Sequence, residues 1–299
     1  MILTFDQSVL IWCLCVPAII AAAAFGLAWS LQRSDSSSAK TAVGAVVLGV
    51  GWWAAVTVSL SARQEWQVWP TEYWHHCLWP LMIWPLIAWS FIGSPTGEAI
   101  SGSPRSTLSP ILLAIAAAAT AAFCLPRGEA WEDTYSVHGP VGVALMLSIF
   151  VNAWSLDAMA RRGTERWVLL VALASLGGPI ALAASTYASL TEWGLAMASA
   201  TLAITIGGLL VRNRLATTSI AIVVAGSACL VAGGRFQTYE DHPLWLYALL
   251  LSLPSVIAFV DYFLKSRSTA VRVVVAAILS AATIATSVWF LLIRETETW

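Results

Sequence analysis

Long unbroken apolar runs alternate with short polar breaks along the whole chain. Ten such runs fall near residues 9–31, 40–62, 77–93, 107–125, 138–159, 167–187, 194–211, 216–233, 243–264 and 270–293. Each approaches the roughly 20 residues that carry a helix across a hydrocarbon core of about 30 Å. Stretches such as Ile111–Ala122 and Val271–Leu279 do not alternate apolar with polar positions, as transmembrane strands would. An apolar run in lipid must satisfy its own backbone, which leaves the helix. The pattern predicts an all-α, polytopic integral membrane protein, a bundle of about ten transmembrane helices forming a single transmembrane domain over residues 1–299. The longest polar stretches, Arg63–His76 and Pro126–Val137, have 14 and 12 residues, too few for a separate domain.

Composition narrows the function classes. Hydrophobic residues make up 59% of the chain and charged ones 10%, with a mean hydropathy of +0.79, against a charged share of roughly 25% in soluble domains. The net charge is −1 and no basic cluster exceeds Arg161–Arg162, so nothing could neutralise a nucleic-acid backbone. The expected partner is the lipid bilayer, with subunits of a membrane complex as a further class.

Basic residues favour the cytoplasmic side of short loops. With the N-terminus outside, the inner loops hold Arg33, Lys40, Arg105, Arg161, Arg162, Arg166, Arg212, Arg214, Lys265, Arg267 and Arg272, eleven of the fifteen. The outer loops then collect eleven of the sixteen acids, among them Glu65, Glu72, Glu129, Glu132, Asp133, Glu240 and Asp241. Both termini are therefore expected outside, in a bacterial plasma (inner) membrane. Asp6 and no Lys or Arg precede the first run, the wrong charge for a cleavable signal peptide.

An internal repeat is expected at an offset of 104 residues. It lays Thr134, Tyr135, His138, Ser148 and Asp157 on Thr238, Tyr239, His242, Ser252 and Asp261, with Ala and Leu matches between them. The repeated hairpins would span 107–159 and 216–264. Four spans separate them, so the copies run the same way. A weaker copy at half the offset has Leu190 in place of the histidine.

All four histidines, His75, His76, His138 and His242, fall at the expected outer mouths of inward-running helices. Imidazoles at one depth suit a metal site, a pair of haem ligands or a proton relay. The plainer account has them hydrogen-bonded among lipid headgroups. Five cysteines, Cys13, Cys15, Cys77, Cys124 and Cys229, lie toward the same face. Thiolates beside imidazoles favour copper(I) or zinc, although the spacing fits no zinc pattern. The repeat also suggests Cys124 and Cys229 as a disulfide pair in an oxidising compartment.

Seventeen tryptophans are an excess. An interfacial belt explains Trp131, Trp193 and Trp245. The segment Glu65–Trp84, with Trp66, Trp69, Trp74, Trp79 and Trp84, is denser than a belt requires. It is similar to the outer Trp-rich segment of the membrane haem-handling proteins of cytochrome c assembly. Their tandem Trp-Trp-Asp signature is absent, because Trp52–Trp53 is followed by Ala54.

Asp157 and Asp261 each precede a base by four residues, Arg161 and Lys265, which predicts two local ion pairs near the inner face. Midway along the spans the polar side chains are few, chiefly Thr57, Asn152, Ser175 and Thr205, and Pro254 is expected to kink its helix. The glycine pairs Gly177–Gly178 and Gly207–Gly208 suit close helix packing. No phosphate loop, GxSxG elbow, HExxH or CxxC is present, which argues against a soluble-type enzyme. Three functions stay open. The first is a small-molecule or ion transporter gated by Tyr135, His138, Tyr239 and His242. The second is a metal- or haem-handling subunit, ligated through His75, His76, His138 and His242 near the outer face. The third is a structural subunit of a membrane complex.

Overall fold

The structure, a computed structural model, describes residues 4–34, 38–63, 73–88, 104–129, 131–161, 165–211, 214–237 and 242–297. Of the residues singled out above, Glu65, Trp66, Trp69, Glu72, Arg162, Arg212, Thr238, Tyr239, Glu240 and Asp241 lie outside the described residues. Every regular element among the described residues is helical. In chain order, α1 spans Phe5–Arg33 with a π-helical turn over Leu10–Cys15, and α2 spans Ser38–Ala62. A 3-10 turn over Tyr73–Cys77 leads into the short helices α3, Leu78–Leu81, and α4, Trp84–Ala88. Then come α5, Pro104–Cys124, α6, Thr134–Met159, α7, Glu165–Ala174, α8, Gly177–Thr186, and α9, Ala188–Val211. A second 3-10 turn, Arg214–Ser219, precedes α10, Ile220–Gln237, followed by α11, Leu244–Phe263, and α12, Thr269–Glu297.

Eight stretches among the described residues are long and apolar enough to cross a bilayer: α1, α2, α6, α7 with α8, α9, α10, α11 and α12. This is the make-up of a multi-pass membrane protein. The apolar part of α5, Pro110–Cys124, is shorter. The third expected span is not one helix over its described part. Pro80 and Pro85 each lack the N–H that a continuing helix needs, and the chain breaks into α3 and α4. Pro179 acts likewise between α7 and α8. It leaves the Ser175 carbonyl without its helical donor, and the Ser227 hydroxyl of α10 donates to that carbonyl at 3.4 Å.

The core is built around α10, buried at every position from Ile220 to Gly234. Nine of those fifteen residues are Ala, Gly, Ser or Cys, so neighbouring backbones can approach closely where lipid supplies no hydrophobic drive between helices. At Gly207 on α9 a Cβ would lie 2.6 Å from the Phe25 ring of α1. Tryptophan works inside this core as well as at its edge. Trp52, Trp74, Trp84 and Trp193 are fully buried. The indole N–H groups tie helices together: Trp52 donates to Thr201 Oγ1 at 2.9 Å, Trp84 to Thr120 Oγ1 at 3.0 Å and Trp53 to the Leu78 carbonyl at 3.0 Å.

Ion pairs close both ends. At one end Arg63, after α2, donates through Nε and NH2 to both oxygens of Glu192 on α9, at 2.8 and 2.7 Å, and through NH1 to Ser8 on α1 at 2.8 Å. At the other end Asp157 of α6 and Arg161, two residues past its end, are 2.6 Å apart. The second expected inner pair does not form as expected. Asp261 is held by Arg272 of α12, and Lys265 lies over the Tyr262 ring at 4.7 Å.

Candidate metal centre

Three elements that meet at one end of the bundle each bring one cysteine. Cys77 closes the 3-10 turn before α3. Cys124 is the last residue of α5, which stops there because Pro126 disfavours helical geometry in the residue before it. The loop back into α6 is then fixed by Thr134, whose hydroxyl donates to the Pro126 carbonyl at 2.7 Å, and by Asp133, which accepts from the Tyr135 N–H at 3.1 Å. Cys229 lies on the small-residue helix α10, where the lack of bulk lets α5 and the turn come close.

The Cys124 sulfur is 3.3 Å from that of Cys77 and 3.4 Å from that of Cys229. All three sulfurs lie within 4.8 Å of one another, so they form a triangle and not a row. All three thiols are free and at most 1% exposed. Three sulfurs sharing one metal ion at about 2.3 Å would stand about 4 Å apart, which these positions reach by small side-chain adjustments. Among the described residues this is the one group of three or more His, Cys, Asp or Glu with ligand atoms so close.

The imidazoles surround this end of the bundle without forming such a group. His75 is buried against Trp74, ring centroids 3.8 Å apart, and Trp74 packs on Trp193 at 5.6 Å. Burial, and then the charge of His76, lowers the His75 pKa to about 4, and among the described residues its Nε2 has no partner. His76, half-buried next to Cys77, is lowered by burial and then by the charge of Arg127. Arg127 donates to the Ala122 carbonyl at 2.9 Å and covers the Phe123 ring at 5.0 Å. His138 packs edge-on against Trp131 and Phe236, and its Nε2 is unpartnered among the described residues. His242 packs against Tyr247 and Phe290. Tyr135, the first expected gate residue, is 65% exposed.

The mid-span polar side chains are spent locally. Thr57 donates to the Trp53 carbonyl, Ser175 to Ala172 and Thr205 to Thr201. Asn152 of α6 joins α11: its amide N–H donates to the Leu251 carbonyl at 2.6 Å, and its Oδ1 accepts from the Ser255 N–H at 3.0 Å and from the Ser255 hydroxyl. Beside it a cavity of about 10 Å³, room for one water, is lined by Ser148, Asn152, Ser227 and Pro254.

The repeat suggests a Cys124–Cys229 disulfide, and the structure brings the two sulfurs to 3.4 Å as free thiols. The repeat does not join Cys77, expected beside His76 as one of five outer cysteines, to that pair. Nor does it foresee the Arg63–Glu192 clamp, whose partners lie 129 residues apart on separate elements. Comparison with known protein families, with characterised proteins and with solved structures finds no match for this chain.

Proposed function

We propose that this protein is a metal-handling membrane subunit that holds one soft metal ion on Cys77, Cys124 and Cys229, near the outer ends of its helices. The observation that carries this reading is the buried contact of three thiols from three separate elements, 3.3 and 3.4 Å apart. A thiol buried alone is packing, and two in contact suit a disulfide. Three converging on one point match the donor set of a thiophilic ion. The histidines serve as the polar rim of that end and not as haem ligands.

The transporter reading ranks second. A permeation path needs polar groups free near the bilayer midplane, and here the mid-span hydroxyls donate to backbone carbonyls, at distances between 2.7 and 2.9 Å. In the orientation that the basic residues favour, the thiols face the outer half of a bacterial plasma membrane and both termini are outside.

Metal analysis of detergent-purified protein kept reduced tests the reading. One equivalent of a soft metal is expected, lost when any one of the three cysteines becomes serine and kept in Cys15→Ser. Reduced, folded protein that takes up no thiophilic metal at all would overturn it.

A further inference from the structure

We infer that the ion held by Cys77, Cys124 and Cys229 is copper(I), bound by three sulfurs and no fourth protein ligand; this rests on the metal-handling reading above.

Coordination number separates the two candidate ions. Zinc in a closed site takes four protein ligands, and with three it keeps a water in the fourth position. Here three sulfurs converge, and among the described residues no imidazole or carboxylate joins them within 4.8 Å. A water ligand needs a polar, open place. These sulfurs are at most 1% exposed, and Cys229 stands on a helix whose fourteen residues nearest it in the buried run are all buried too. Copper(I) is a closed-shell, soft ion that is satisfied by two or three sulfurs and requires no water.

Binding releases the three thiol protons and needs no electron transfer, because the ion arrives already reduced.

The test uses the full-length protein in lipid nanodiscs under anaerobic, reducing conditions. It is titrated with copper(I) against a copper(I)-specific chelator, and with zinc(II) against a zinc chelator. Expected are one tightly held copper(I), displacement of zinc by copper(I), and an X-ray absorption edge spectrum with three sulfur neighbours at about 2.3 Å and no nitrogen or oxygen. Cys77→Ser and Cys229→Ser should each weaken copper(I) binding at least a hundredfold. The sulfur count of the unsubstituted protein decides the matter should a variant not fold. Zinc held with a fourth light-atom ligand, and not displaced by copper(I), overturns the copper inference and leaves the metal-handling reading standing. Failure of both ions to bind reduced, folded protein overturns both.

Discussion

Arg272 grips Asp261 with two parallel hydrogen bonds, Nε to Oδ1 and NH2 to Oδ2, both 2.7 Å. The contact spans the turn between α11 and α12, and both side chains are largely buried, 13% and 5% exposed. Removing one partner of such a pair leaves the other charge desolvated and uncompensated, at a cost of about 3 kcal/mol. Asp261→Ala should therefore lower unfolding stability in mixed micelles by about that amount. Lys265→Ala, which removes only a side chain lying over the Tyr262 ring, should change it by under about 1 kcal/mol. Equal losses in the two variants would refute the assignment.

Much of this architecture was legible in the sequence because lipid leaves a backbone few options. Long apolar runs had to be helices, and the eight candidate spans fall on eight of the expected runs. Summed hydropathy does not register a missing N–H, so Pro80 and Pro85 broke the third run unnoticed. It also does not say which span is central. Small residues do: α10 is central because Ala225, Gly226, Ala228, Gly233 and Gly234 let its neighbours close in. A rule restricted to one helix pairs Asp261 with Lys265 and cannot see Arg272 on the next. The same limit hid the contact of Cys77 with Cys124, which lies 47 residues away.

Asn152 braces α11 where Pro254 interrupts its backbone hydrogen bonding. Pro254 has no N–H to give the Leu250 carbonyl, and the Asn152 amide lies alongside, bonded to Leu251 and Ser255. Asn152→Leu strands those groups in an apolar setting. A loss of about 2–3 kcal/mol follows from the unmet polar groups. Ser148→Ala, which removes one hydroxyl that donates to the Leu251 carbonyl at 3.0 Å, should cost about 1 kcal/mol. Denaturant titration of both variants tests the order, and a Ser148 effect exceeding that of Asn152 would contradict it.

Two glycines make a steric contrast. A Cβ at Gly207 would stand 2.6 Å from the Phe25 ring, whereas one at Gly26 meets nothing within 4 Å. Gly207→Ala should force α1 and α9 apart and cost about 1–3 kcal/mol. Gly26→Ala, in open space on a helix, should be neutral or stabilising by up to about 1 kcal/mol. Melting temperatures in one detergent discriminate the two, and equal shifts would show that the α1–α9 contact is not this tight.

The metal-free protein should lose stability in mild acid through His75. Its pKa is lowered to about 4 from the ordinary 6.5, chiefly by burial. The unfolded chain therefore binds a proton at a pH where the folded one refuses it, and stability rises with pH wherever the unfolded state holds more protons, so it drops as the solution is acidified. Above pH 6.5 both forms are neutral and His75 contributes nothing to the slope. Between 6.5 and 4 the folded state is penalised progressively, to a ceiling of about 3 kcal/mol, and below 4 the penalty levels off. His75→Phe keeps a ring against Trp74 and removes the proton site, so its stability should decline less over that window. Unfolding measured at pH 7, 6, 5 and 4 for both proteins isolates the difference, and parallel curves would mean that the His75 imidazole is not shielded from water as the structure has it.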